Sequence, residues 1–213
     1  MRRTEAIYGT LPDDLGTVDA TPTEMLYWLY CPIKLPGSIT PTVPPNLKQF
    51  RPIIDAVGHD CGERLFNSYV YITAKTLYCS SENPGNRPGW HSDGFLTDDL
   101  NYIWYDANPT IFFHDGERHA FTADHSASLS EMDALCEPLS FARRIYPAKR
   151  LLRLDETVLH KVDLDIRPGI RTFVKISVSR HRYALQGNSI NYALAPDWEY
   201  QPRQAERNCP VTP

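Results

Sequence analysis

Apolar and polar positions alternate in short runs over most of the chain, and these runs predict strands. From residue 67 the runs are SYVYITAKTLYCS, NYIWYD, TIFFHD, RHAFT, RRIYPAKRLLRLD, TVLHKVD and RTFVKISVSRHRYAL. Turn clusters such as NPGNRPG, ANP, DG and RPG separate them, which is the pattern of an antiparallel sandwich or barrel. Before residue 67 the spacing is different. In TPTEMLYWLYCPIKLP, Met25, Leu26, Trp28 and Leu29 recur at helical spacing behind a possible N-cap at Thr21 or Thr23, and Pro32 and Pro36 end the run. A second helix is predicted from Pro52 to Arg64, after the proline-rich connector PGSITPTVPPN. A third is predicted in SLSEMDALCEPL, where Ser128 and Glu131 have capping-box spacing. The pattern therefore predicts a mainly β chain with flanking helices, a β-sandwich of jelly-roll type. It predicts a single domain over residues 1–213, with 1–66 as a helical N-terminal support and 67–195 as the jelly-roll core.

Composition narrows the partners more than the fold. The 213 residues carry a net charge of -4, pI about 6.0 and mean hydropathy -0.41, and Lys and Arg form no run. Nucleic acid and anionic membrane are therefore not expected partners, although Arg180, His181 and Arg182 make one small basic cluster. The five cysteines show no C-x-x-C spacing and are odd in number, which predicts reduced thiols and a cytoplasmic location. The residues after Met1-Arg2-Arg3 form no apolar signal core, and no later apolar run is long enough to span a bilayer. Nothing in the pattern sets an oligomeric state.

The candidate chemistry begins at PGWHSDGF, residues 88–95. In a strand, side chains alternate with period two, so His91 and Asp93 project to one face and Ser92 to the other. A second strand-borne histidine, His160, follows Asp93 by 67 residues, and Arg171 follows His160 by 11, beyond an RPG turn. Two histidines and one carboxylate on one face of a metal leave three adjacent positions open, the arrangement used by non-haem Fe(II) oxygenases. An arginine beyond them suits a carboxylate-bearing cosubstrate, because its planar fork binds carboxylate bidentately and keeps its charge.

This ordered set resembles the Fe(II)/2-oxoglutarate-dependent oxygenase superfamily, over about residues 67–180. The resemblance implies a double-stranded β-helix (jelly-roll, cupin-like) fold, with iron held by His91, Asp93 and His160 as the metal-binding and catalytic set. It implies that Arg171 holds the distal carboxylate of 2-oxoglutarate, and that O2 is the other cosubstrate. The implied activity is a dioxygenase, a hydroxylase of a small molecule or peptide element, that forms succinate and CO2.

Other residues are placed around this set with a structural alternative beside each. On SYVYITAKTLY, Tyr69, Tyr71, Thr73 and Lys75 share a face. By the resemblance Tyr71 or Thr73 contacts the cosubstrate, and the alternative is a cross-strand ladder. Lys75 reads as a solvated or structural charge. Ser177 and Ser179 alternate inward with Arg171, Phe173 and Lys175, and Ser177 is taken as a further cosubstrate contact. Trp90, Phe95, Tyr102 and Trp104 are candidate walls of a substrate pocket, with plain core as the alternative. His114, His119 and His125 match no common strand or helix face, and HDGERH reads as a hairpin turn rather than a second metal set.

Two rival readings stand beside the first. One is a cupin-type metal enzyme that uses no 2-oxo acid, which Arg171 argues against. The other is a non-catalytic β-sandwich binding module in which the His/Asp set is accidental. Substrate identity stays open, nucleobase oxidation included.

Overall fold

In the computed structural model, residues 2–194 and 197–203 are described. The chain is mainly β, with two antiparallel sheets and, among the described residues, two α-helices. The larger sheet has the order β1 (Asp13–Thr17), β8 (Arg150–Leu154), β5 (Leu100–Tyr105), β10 (Gly169–Ser179), β3 (Tyr69–Cys79) and β2 (Leu26–Lys34). The smaller has the order β4 (His91–Ser92), β9 (Leu159–Val162), β6 (Thr110–Phe113) and β7 (Arg143–Ile145). The helices are α1 (Arg51–Cys61) and α2 (His125–Cys136).

Period-two alternation sorts the side chains into layers. On one face of the larger sheet, Val174, Ile176 and Val178 of β10, Val70, Ile72 and Ala74 of β3, and Tyr102 and Trp104 of β5 join one cluster with Ile53, Ile54 and Val57 of α1. On the other face, Phe173, Ile103, Tyr105, Leu152 and Leu154 meet Phe112 of β6. The far face of the smaller sheet, with Ile111, Phe113 and Leu159, is covered by Met132 and Cys136 of α2. Each large apolar side chain so buried contributes about 1.5–3 kcal/mol. The space between the two sheets holds the polar cavity described below.

The segment predicted as the first helix is instead β2, an edge strand paired with β3. Its apolar residues suit both periods, and the ladder with β3 satisfies the backbone groups that a helix would have satisfied internally. Pro32 is tolerated because the strand lies at the sheet edge. The pairing runs Trp28↔Ala74 and then Cys31↔Ile72, so one extra residue bulges out of β2. Tyr30, at φ 46°, sits in that bulge, and its N–H donates to Thr73 Oγ1 at 3.0 Å in place of a ladder bond. Residues 1–66 are therefore only in part a helical support: α1 packs on the main sheet, whereas β1 and β2 belong to it.

The second predicted helix is present as α1, followed by a 3-10 turn over Gly62–Leu65. The third starts earlier than the capping-box reading implied. Asp124 is the N-cap, accepting from Ala127 N–H at 2.9 Å, and Ser128 lies buried inside the helix. Glu131 instead receives Thr122 N–H and Oγ1–H, at 2.8 and 2.6 Å. RHAFT forms isolated bridges to the N-terminal segment, Tyr8↔His119 and Arg3↔Thr122, rather than a strand. Cys31, Cys61, Cys79 and Cys136 are free and buried, while Cys209 lies outside the described residues. No described helix is long and apolar enough to cross a membrane.

Candidate metal centre

The strand pair β4–β9 brings the histidines together. His91 is directly opposite His160 in the ladder, and their ring centroids are 4.4 Å apart. Asp93 follows β4 at a turn made by Gly94, whose φ of +75° and close neighbours disfavour a larger residue. A Cβ there would lie 3.1 Å from Asp99 Cβ and 3.2 Å from Thr97 Oγ1. The turn aims the carboxylate back at the rings, and Asp93 Oδ2 lies 3.6 Å from His160 Nε2. One ligand atom from each of His91, Asp93 and His160 lies within 4.8 Å of the others.

Both rings are oriented by the backbone two residues upstream. His91 Nδ1 faces Gly89 O at 2.9 Å and His160 Nδ1 faces Val158 O at 3.3 Å, leaving each Nε2 as the inward donor. A metal-ligating histidine characteristically commits its other ring nitrogen to a carbonyl in this way, which fixes the tautomer. Burial, aided by the neighbouring His160, pushes the His91 pKa down to about 3, so the ring is neutral and able to ligate. Burial alone would raise the Asp93 pKa. The Lys175 ammonium, joined by the two histidines, outweighs it and holds the carboxyl well below its usual range. The donor set of two nitrogens and one ionised oxygen fits a divalent transition metal and leaves coordination positions free.

The three ligands open into a cavity of about 220 Å³ between the sheets. Thr73, Lys75, Phe173 and Lys175 of the larger sheet line it, as do Tyr30 from the β2 bulge, Phe95, Asp99 and Tyr183. Lys75 Nζ donates to Gly85 O at 3.0 Å and Asn86 Oδ1 at 3.2 Å. Burial, with the charges of Lys175 and Arg171, brings its pKa down to about 8. Lys175 Nζ donates to Asp93 Oδ1 at 3.0 Å and to Tyr30 OH at 3.1 Å.

Of the other residues singled out in the sequence, some reach this cavity and some do not. Thr73 lines it, with its hydroxyl oxygen accepting from Tyr30 N–H. Arg171 is buried on the same face of β10, but it is not among the lining residues. Its Nε donates to Ala107 O and Asn108 O, both at 3.0 Å, and its guanidinium lies 5.1 Å from the Phe173 ring centre. Tyr71 and Ser177 are also set back. Tyr71 OH donates to His181 O at 3.0 Å, and Ser177 Oγ bonds Asn101 Oδ1 at 2.6 Å.

Among the four aromatic candidates, only Phe95 lines the cavity. Tyr102 and Trp104 fall on the opposite face of β5, against α1, with Tyr102 OH donating to Asp60 and Trp104 Nε1–H to Val18 O. Trp90 turns away from its neighbour His91 toward α2 and donates its Nε1–H to Glu137 at 2.8 Å. Strand alternation is the reason in each case.

His114, His119 and His125 do not meet. His114 packs on Gly9 O and His119 on Asp115, whereas His125 lines the metal-site cavity beside Phe95. The basic cluster is dispersed, with Arg180 paired to Asp98 and Arg182 over the Trp198 ring. Asp98, Asp99 and His181 also come within metal-binding distance of one another, but Asp98 is already ion-paired with Arg64 and Arg180. Lys75, Lys175 and Tyr30 were not assigned to the site from the sequence. For Lys175 the signal was its place in the inward alternation after Arg171, whereas Tyr30 depends on a bulge that carries no sequence signature.

No protein-family model and no curated protein matches the chain. The functional reading therefore rests on the geometry.

Proposed function

We propose that this chain is an Fe(II)/2-oxoglutarate-dependent dioxygenase, a hydroxylase built on a jelly-roll core, acting on a small molecule or short peptide element. The observation that supports it is the convergence of His91, Asp93 and His160, with both Nδ1 atoms committed to carbonyls, at the wall of a cavity also lined by Lys75, whose ammonium is held by two neutral oxygens. When bound, iron and the 2-oxo acid supply oxygen activation coupled to release of succinate and CO2. The chain's own residues do the rest. Two imidazole nitrogens and one carboxylate would hold the metal without neutralising its charge fully. Lys75, two residues along β3 from Thr73, lines the cavity with Arg87 and Lys175; Lys175 is paired with Asp93, and Lys75 is the cation we assign to the distal carboxylate. Phe95, Phe173 and Ile103 are apolar walls that exclude water from the reacting positions.

The second reading, a metal enzyme of the same fold that uses no 2-oxo acid, is favoured by one observation: Arg171 does not line the cavity. Anaerobic addition of Fe(II) and then 2-oxoglutarate separates the two. The proposal expects a weak visible charge-transfer band that needs both additions, and succinate release when O2 is admitted. Iron uptake without the band or succinate supports the second reading, and no iron uptake supports a non-catalytic binding module.

A further inference from the structure

The two oxygens of Asp93 have different surroundings. Oδ2 lies 3.6 Å from His160 Nε2. Two atoms that share a metal at ~2.1 Å each can be at most ~4.2 Å apart, so this gap is one a metal can bridge. Oδ1 lies on the other side and is held by Lys175 Nζ at 3.0 Å. Lys175 is itself held, by Tyr30 OH at 3.1 Å and by the Tyr30 ring, whose centre is 4.9 Å from the ammonium. Both partners come from the main sheet: Lys175 from the inward row of β10, and Tyr30 from the β2 bulge, which is tied to Thr73 directly across from Lys175 in the ladder. A buried ammonium is costly without a partner, so the Lys175–Asp93 contact is not readily given up.

We propose that Lys175, steadied by Tyr30, is a positioning residue that keeps Asp93 a one-oxygen metal ligand. A carboxylate free to turn can ligate through both oxygens and take up a position that a chelating ligand needs. With Oδ1 committed to the lysine, three positions stay open, and a fixed positive charge stands beside them. The class of ligand this favours is a bidentate oxygen-donor anion. This inference rests on the metal site proposed above and assigns the way its carboxylate is held.

The test uses Co(II) in the 213-residue chain under nitrogen, with oxalate as the bidentate probe, and compares wild type with Lys175→Met, Lys175→Arg and Tyr30→Phe. Removing a cation beside the site does not weaken Co(II) uptake, so Lys175→Met is expected to bind Co(II) at least as tightly as wild type. Its visible Co(II) spectrum should be weakened as the second Asp93 oxygen coordinates, and its oxalate affinity should fall by about tenfold or more. Lys175→Arg, which keeps charge and donors, should restore the wild-type spectrum, and Tyr30→Phe should show a partial loss of oxalate affinity. If Lys175→Met does not fold, the Tyr30→Phe and Lys175→Arg results decide. An unaltered spectrum and oxalate affinity in Lys175→Met, or in Tyr30→Phe where the first variant is lost, overturns the proposal while leaving the metal site standing. Wild type that takes up no Co(II) overturns both.

Discussion

Lys75 and Arg171 compete for the role of carboxylate anchor, and replacing each by methionine separates them. Lys75 lines the cavity and now donates to two neutral acceptors, Gly85 O at 3.0 Å and Asn86 Oδ1 at 3.2 Å. Exchanging these for a carboxylate creates a charge-assisted bond, worth about 1.5–3 kcal/mol, so Lys75→Met should weaken 2-oxoglutarate binding about 10- to 150-fold. Arg171 stands behind Phe173, with its Nε on two carbonyls, although its buried Nη2 has no hydrogen-bond partner among the described residues. Arg171→Met should strip the Ala107 and Asn108 carbonyls and lower stability by about 1–3 kcal/mol, with ligand affinity changed by no more than about threefold. Calorimetric titration of Mn(II)-loaded protein under nitrogen measures the affinities, and denaturant unfolding measures the stabilities. The reasoning fails if Lys75→Met binds 2-oxoglutarate as wild type does while Arg171→Met loses tenfold or more. The Phe173 ring would then have to move aside, making Arg171 the anchor as the superfamily resemblance implies.

Three further outcomes are expected. His91→Ala, Asp93→Ala and His160→Ala should each abolish stoichiometric Fe(II) binding and succinate release with the circular dichroism spectrum unchanged, and a variant that keeps both removes its residue from the ligand set. Because the folded pKa of Lys75 is about 8, 2-oxoglutarate affinity should fall as pH rises through that value, with Lys175, Arg171, Cys79 and Asp93 the charged or titratable neighbours that tune it. The same shift makes Lys75 burial a cost below pH 8 that is relieved toward its unfolded value of 10.5, so ligand-free stability should rise with pH across that window; a pH-independent affinity from 7 to 9.5 would count against the anchor. Trp104→Ala should cost about 3–5 kcal/mol in unfolding free energy and leave the KM of any substrate unaltered, whereas Phe95→Ala should raise that KM, and the reverse pattern would contradict the placement of the β5 faces.

What the sequence determined by itself was local. Alternation in YVYITAKTLYC and GIRTFVKISVS marked β3 and β10, and a period of two predicted His91 and Asp93 on one side, although β4 ends at Ser92 and the turn at Gly94 is what brings the Asp93 carboxylate to the rings. The distant His160 was legible as a ligand candidate because it too sat in a strand-like run. Tertiary structure decided the remainder, for three physical reasons. Alternation says that two faces exist but not which one meets the other sheet, so the sequence left Tyr102, Trp104 and Trp90 open between pocket wall and plain core, and the structure puts them in the core. The Leu26–Lys34 run fits a helix and a strand equally well by apolar spacing, and only the ladder with β3 selects the strand. Finally, the contacts that tune the site, Lys175 on Asp93 and Tyr30 on Lys175, join residues 82 and 145 positions apart, separations that no local pattern of propensity or charge encodes.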